Sequence, residues 1–194
     1  MYRKYVLLFV LFVQILSLLG CQKSESQDYI NHTEEKTNLG DNELLKKISK
    51  DMIEEKSFNI SLNDWGEVTF ISCMPDFDES IDPLTDVSFY LINNEKVLYR
   101  FPDVANNNIR ESGLCESVAF VLVEDVNHDA KEDFIIGVKY VSGAGPQGMV
   151  PYTEIRIYEN NNNEFFYNKS ISEEINSNLP QDVSAKYVQN LLFD

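Results

Sequence analysis

Basic side chains are scarce in this chain: 16 Lys and Arg stand against 32 Asp and Glu over 194 residues, a formal charge of −16. No basic stripe follows the opening Arg3-Lys4 pair. Nucleic-acid binding needs such a stripe to displace counterions from phosphates, so nucleic acid is excluded as a partner. The acid excess reads as a solvated surface, with a few carboxylates free to hold cations.

Histidine, cysteine and tryptophan are sparser still, at two, three and one residues. A Ser-His-Asp or Cys-His arrangement would have to recruit His32, in a polar stretch, or His128, in an acidic loop, so nucleophilic catalysis has little to stand on. Besides Cys21 there are only Cys73 and Cys115. Outside the cytoplasm this pair reads in two ways. One is a disulfide closing a loop of about forty residues, worth on the order of 3 to 4 kcal/mol; the other is two separate free thiols. Phosphate-cradling motifs are missing as well. Residues 141–151 carry Gly143, Gly145, Gln147 and Gly148 but lack the Gly-x-x-x-x-Gly-Lys-Ser/Thr pattern, and they lead into a strand instead of a helix N-terminus. That loop is a connector or a partner-binding surface.

Only one long apolar run occurs, Tyr5 to Leu19, broken by Gln14 and Ser17. It follows Arg3 and Lys4, falls short of the roughly 20 residues that span a bilayer, and ends at a small residue directly before a cysteine. A removable export signal fits this order better than the alternative, an uncleaved anchor helix. Leu18-Leu19-Gly20-Cys21 resembles the lipobox of bacterial lipoproteins, with Leu19 bulkier than the residue usual there. The resemblance implies diacylglycerol on the Cys21 sulfur, cleavage that leaves Cys21 at the N-terminus, and a lipid anchor on the extracytoplasmic side of an envelope membrane. Each buried methylene contributes about 0.8 kcal/mol, and two chains give a lasting anchor where one does not. Loss of residues 1–20 removes Arg3 and Lys4 and no acid, so the charge of −16 becomes −18. Residues 22–40 are almost wholly polar and read as a tether holding the domain off the membrane. The organisation is therefore a signal over residues 1–20, a lipidated tether over 21–40 and one domain over 41–194.

Within the domain, 43% hydrophobic content with 12% aromatics is globular composition. Asp41 can cap a helix whose apolar residues Leu44, Leu45, Ile48, Met52 and Ile53 share a face, and that helix is expected to dock on the domain edge. From Glu67 the period becomes two: Val68 and Phe70, then Val87, Phe89 and Leu91, then Val97, Tyr99 and Phe101. Asn93-Asn94-Glu95 turns the last two into a hairpin. Residues 117–124 and 134–141 are apolar on both faces, as central strands are. Residues 153–159 alternate, with Ile155 and Ile157 inward and Glu154, Arg156 and Tyr158 outward, and an Asn-rich turn carries them into residues 164–167. Val183, Tyr187, Val188, Leu191 and Leu192 predict a closing helix capped at Asp182. The whole reads as an α+β domain, mainly antiparallel sheet, with an N-terminal and a C-terminal flanking helix.

The densest chemistry lies between two apolar strands, in Asp125-Val126-Asn127-His128-Asp129-Ala130-Lys131-Glu132-Asp133. Oxygen side chains stand at its positions 1, 3, 5 and 9, and calcium takes six to eight oxygens at about 2.3 to 2.6 Å. Residues 121–140 resemble the Asp-x-Asn-x-Asp-Gly-x-x-Asp loop of FG-GAP or integrin-like repeat proteins, which joins two strands and binds calcium. That resemblance implies Asp125, Asn127, Asp129 and Asp133 as side-chain ligands and Lys131 as a carbonyl ligand. It occurs once, so it implies no propeller. Nor is the loop an EF-hand, since position 12 is Ile136. Ala130 stands where the family has Gly, at a cost of roughly 1 kcal/mol if φ is positive. Two readings of the turn stand side by side: a calcium site, or an acid-rich turn closed by Asx hydrogen bonds to its own backbone. His128 is expected to point to solvent.

Two functions are consistent with these residues. The first is a non-enzymatic, lipid-anchored module that recognises an envelope protein or a wall polymer and carries calcium as a structural ion. The second is a secreted hydrolase using the acids near Trp65 (Asp64, Asp76, Asp78 and Asp82) or the loop spanned by Gly143 and Gly148. Asn63-Asp64-Trp65-Gly66 otherwise reads as a turn leading into a strand, with Trp65 a core or rim aromatic.

Overall fold

A computed structural model of the chain describes residues 41–74, 86–104, 114–141 and 150–193. The signal, Cys21 and the tether lie outside them, as do Asp76, Asp78 and Asp82 and the partner loop with Gly143, Gly145, Gln147 and Gly148. Among the described residues the strands form two four-stranded antiparallel sheets, each a meander of chain neighbours. The first contains β1 (Phe58–Leu62), β2 (Gly66–Cys73), β3 (Ser88–Asn93) and β4 (Lys96–Arg100). The second contains β5 (Leu114–Glu124), β6 (Asp133–Val141), β7 (Tyr152–Asn160) and β8 (Phe165–Tyr167). The α+β class and the mainly antiparallel pairing are as the sequence predicts.

One face of each sheet meets the other, and the core lies between them. Period-two alternation sends Val68, Phe70, Phe89 and Leu91 from the first sheet against Val118, Phe134, Ile136, Val138 and Tyr158 from the second. Phe70 and Phe134 stack across the gap at 4.8 Å, and Phe101 and Phe165 stack at 4.7 Å. Such ring pairs add about 0.5 to 1.5 kcal/mol each beyond the apolar area they bury.

The outer faces carry the helices. Helix α1 (Asp41–Asp51) lays Ile48, Leu44 and the adjoining Met52 over Ile71, Cys73 and Tyr90 on the outer face of the first sheet. Helices α2 (Lys169–Asn176) and α3 (Ala185–Phe193) cover Phe120, Ile135, Ile155 and Ile157 on the second. The sequence pattern predicts neither β1 nor α2. Phe58, Ile60 and Leu62 do alternate, and Asn168 caps α2 by accepting the Ile171 N–H at 3.0 Å. The third helix is capped by Ser184, whose Oγ accepts the Tyr187 N–H at 3.2 Å, and not by Asp182.

The turns follow their residue chemistry. Asn94 and Glu95 sit at φ 48° and 58°, and Asn162 and Asn163 at 54° and 67°, which makes both connections left-handed two-residue hairpin turns. Gly66, at φ 68°, ends the β1–β2 turn. Gly137 is required by packing instead. A Cβ there would lie 2.6 Å from the Phe120 ring, so its hydrogen lets that ring cross the strand.

Candidate cation site

The β5–β6 connection runs from Asp125 to Glu132 and is closed by its own side chains. Asp125 Oδ1 accepts the Asp129 N–H at 3.0 Å and its Oδ2 accepts the Ala130 N–H at 2.9 Å. Asn127 Oδ1 also accepts from Asp129 N, at 3.0 Å, and Asp129 Oδ1 accepts from Lys131 N at 2.9 Å. These are Asx-type closures, the second of the two readings of the turn. They hold the oxygens of positions 1, 3 and 5 toward the turn's own amides, and each oxygen keeps a further lone pair. His128 and Ala130 adopt φ of 61° and 66°. The backbone thus takes the left-handed step at Ala130 with a Cβ in place.

Asp133 behaves differently from the other three. It is 0% exposed, and its two oxygens accept the Val126 N–H at 2.9 Å and the Asn160 N–H at 2.8 Å. One carboxylate therefore ties the turn to the end of β7. Burial pushes its pKa up to about 6; the bonds from Asn160 and Val126 pull the other way, and the nearby acids Glu159 and Asp129 add to the rise. Among the described residues no three acidic, histidine or cysteine side chains gather tightly enough to hold a metal by themselves. A calcium ion at this turn would therefore have to draw on the Asn127 amide oxygen and the Lys131 carbonyl as well as on carboxylates, a mixture that its coordination chemistry accepts.

Neighbouring turns brace the site. Glu132 Oε2 accepts the Asn63 N–H at 3.0 Å, and the Ala130 carbonyl accepts from Asn63 Nδ2 at 3.4 Å. Lys131 Nζ reaches away from its own loop to Asp64, 3.8 Å off, and to Asn162 Oδ1 at 3.4 Å. His128 is exposed, as expected. Trp65 is half-buried against Tyr99 and Phe165, a rim aromatic, and Asp64 beside it is engaged by Lys131.

Cys73 and Cys115 are free thiols, so the cross-link between them is not formed. The reason is strand parity. Cys73 points outward with Ile71 under α1, whereas Cys115 points into the core between the sheets. Burial pushes each thiol up to about 12, which makes both poor nucleophiles.

Arg156 corrects the expected alternation of β7. It is 3% exposed, not outward, and its guanidinium bonds Asp86, the Tyr140 hydroxyl and, at 3.1 Å, Glu154 Oε1. Burial works against its charge, but Asp86 with Tyr140, Tyr158 and Glu154 holds it well above the ordinary arginine value. Tyr158 likewise faces the core instead of solvent. The sequence carries only an indirect signal of this: an arginine between isoleucines in a strand facing a second apolar layer needs an acid from elsewhere, and Asp86 lies 70 positions away.

Comparison with models of known families, with curated proteins and with solved structures finds no match for this chain.

Proposed function

We propose that this chain is an exported, lipid-anchored, non-enzymatic binding module of the bacterial cell envelope, in which the turn from Asp125 to Asp133 takes calcium as a structural ion. The export half rests on sequence: Arg3 and Lys4, the apolar run, and the lipobox-like Leu18-Leu19-Gly20-Cys21. Diacylglycerol on Cys21 holds the domain at the extracytoplasmic side of a membrane, and its partner is an envelope protein or a wall polymer.

One observation carries the calcium half. The Asx closures are common to both readings of the turn, but Asp125 Oδ1 and Asn127 Oδ1 converge on one amide, that of Asp129, and the charges of Glu159 and Asp129 bear on buried Asp133. A divalent cation offsets that charge, and Asp125, Asn127, Asp129, Asp133 and the Lys131 carbonyl are the groups to hold it. The ion would join the β5–β6 turn to the end of β7 and so stiffen one end of the sandwich. Thermal unfolding of the chain with Cys21 and everything before it removed, in millimolar calcium and then in chelator, tests this. A higher Tm with calcium is expected, and an unchanged Tm removes the ion. Radiolabelled palmitate carried by the parent chain in a bacterial host, and lost in C21A, tests the anchor.

A further inference from the structure

The two lateral sides of the sandwich differ. On one, the Tyr99 hydroxyl of β4 donates to the Phe165 carbonyl at 3.0 Å and accepts the Phe165 N–H at 2.9 Å, which closes the outward backbone of that residue in β8. The other side lies between β1 and β5, and there the closure stops halfway along β5. The register of β5 slips at Glu116 and again at Ala119, and Lys56 Nζ seals the Ala119 carbonyl at 2.8 Å. From Phe120 to Glu124 the strand pairs with β6 without a break. Which of these residues face outward follows from β7. Ile155 donates its N–H to Asn176 Oδ1 at 2.7 Å and accepts from Asn176 Nδ2 at 2.9 Å, so its backbone faces away from β6. Alternation then turns Arg156 toward β6. Through the pairs Arg156 with Ile136 and Leu122 with Ile135, it turns Leu122 toward β6 and Val121 and Val123 outward. Among the described residues no hydrogen bond reaches the outward N–H and C=O groups of Val121 and Val123.

The side chains along this edge are half-covered as well. Val121 and Val123 on one lip, and Phe58 and Ile60 on the other, are only partly buried against the core between the sheets. The bonds of Lys56 to Ala119 and of Asn63 to Glu132 keep the two lips side by side. Charge around the edge has one sign: Glu54, Glu55 and Glu116 are exposed and Glu124 half-buried, while Lys56 is turned onto the Ala119 carbonyl. Four aligned backbone groups beside apolar side chains are what an added strand pairs with. A second copy of this chain would bring the same acids to the same edge, whereas a basic segment complements them. We propose that the Phe120–Glu124 edge of β5 is a strand-addition site for an extended segment of a partner protein, apolar at alternate residues and carrying Lys or Arg between them. The apolar residues cover Val121 and Val123, and the basic ones meet the flanking acids. This rests on the binding-module reading and narrows its partner to protein.

The test is amide hydrogen exchange read by NMR on the full chain in detergent micelles, with the peptide Ac-KVKVTVK-amide as the probe. In the free chain the Val121 and Val123 amides should exchange at least about tenfold faster than the Leu122 amide, which bonds β6. Saturating peptide should slow both by about tenfold or more. Slow exchange at Val121 and Val123 without peptide, or no slowing at millimolar peptide, overturns the proposal. Protection that grows with protein concentration in the absence of peptide assigns the edge to a second copy and overturns it too. V121P removes an N–H that bonds nothing within the sheet, and should abolish the peptide's protection of Val123. If V121P does not fold, E54K/E55K/E116K keeps every backbone group and should weaken the peptide by about fivefold or more, and an unchanged affinity overturns the basic partner. Co-sedimentation with insoluble peptidoglycan reads the binding module separately. Pelleting by a chain whose edge amides ignore the peptide removes this site and keeps the module.

Discussion

The Asp86 carboxylate, just before β3 of the first sheet, is ion-paired with the Arg156 guanidinium in β7 of the second, and the Tyr140 hydroxyl bonds both. Tyr140 donates to Asp86 Oδ1 at 2.6 Å and accepts from Arg156. This cluster is one polar tie between the two layers, beside the Tyr99 hydroxyl on the Phe165 backbone, and every member has a partner. Such a group adds little net stability when complete, measured against apolar residues of the same volume, and is costly when broken.

Removing one partner should therefore be expensive. D86A leaves Arg156 with Glu154 and Tyr140 but without its cross-sheet acid, and should cost roughly 2 to 4 kcal/mol in urea unfolding at pH 7. In D86A/R156M the loss should be smaller than the two single losses combined.

Asp133 predicts a pH dependence of definite sign. Its folded pKa of about 6 stands above the ordinary 3.8, so the folded chain holds this proton more tightly than the unfolded chain. Stability from this group is therefore full below about pH 4 and is lost as pH rises to about 6, on the order of 2 kcal/mol in all. Denaturant midpoints measured across pH 4 to 7 should show the fall, and D133N should flatten it. Calcium, which favours the ionised carboxylate, should flatten it in the parent as well.

Ala130 carries a φ of 66°, a conformation that costs an L residue with a Cβ roughly 1 kcal/mol or more. Replacing it with Gly relieves that strain while leaving the Asp125 acceptance of its N–H in place. A130G should raise stability by about 0.5 to 1 kcal/mol, read as a higher Tm. A lowered Tm would mean that the backbone is not held in the left-handed region there.

Gly137 should tolerate nothing larger. G137A would set a methyl 2.6 Å from the buried Phe120 ring, which is packed among Ile135, Ile155 and Val188 and has little room to turn. A loss of about 1 to 3 kcal/mol is expected in denaturant unfolding, and F120L/G137A should recover part of it.

Much of the architecture is legible because it is local. Val68 and Phe70, Phe89 and Leu91, and Ile155 and Ile157 announce strands by their spacing alone. The asparagine pairs announce left-handed turns, since their side chains tolerate positive φ. The acids of residues 125–133 mark a turn whose side chains bond back to its own amides, a contact made within five residues. β1 escapes such a reading because its alternation, though regular, spans only five residues, and α2 because its eight residues rely on a single cap.

Amino-acid order by itself thus determined which side chains share a face, where the chain turns and which turn gathers acids, because each depends on neighbours a few residues apart. Only the tertiary structure decided that the strands divide into two sheets, that Arg156 and Tyr158 face a second layer instead of water, and that Cys73 and Cys115 look in different directions. The physical reason is that periodicity defines two faces for every strand but not what covers each. That choice was made by long-range packing, which set Phe70 on Phe134 and brought Asp86 to a guanidinium 70 residues away.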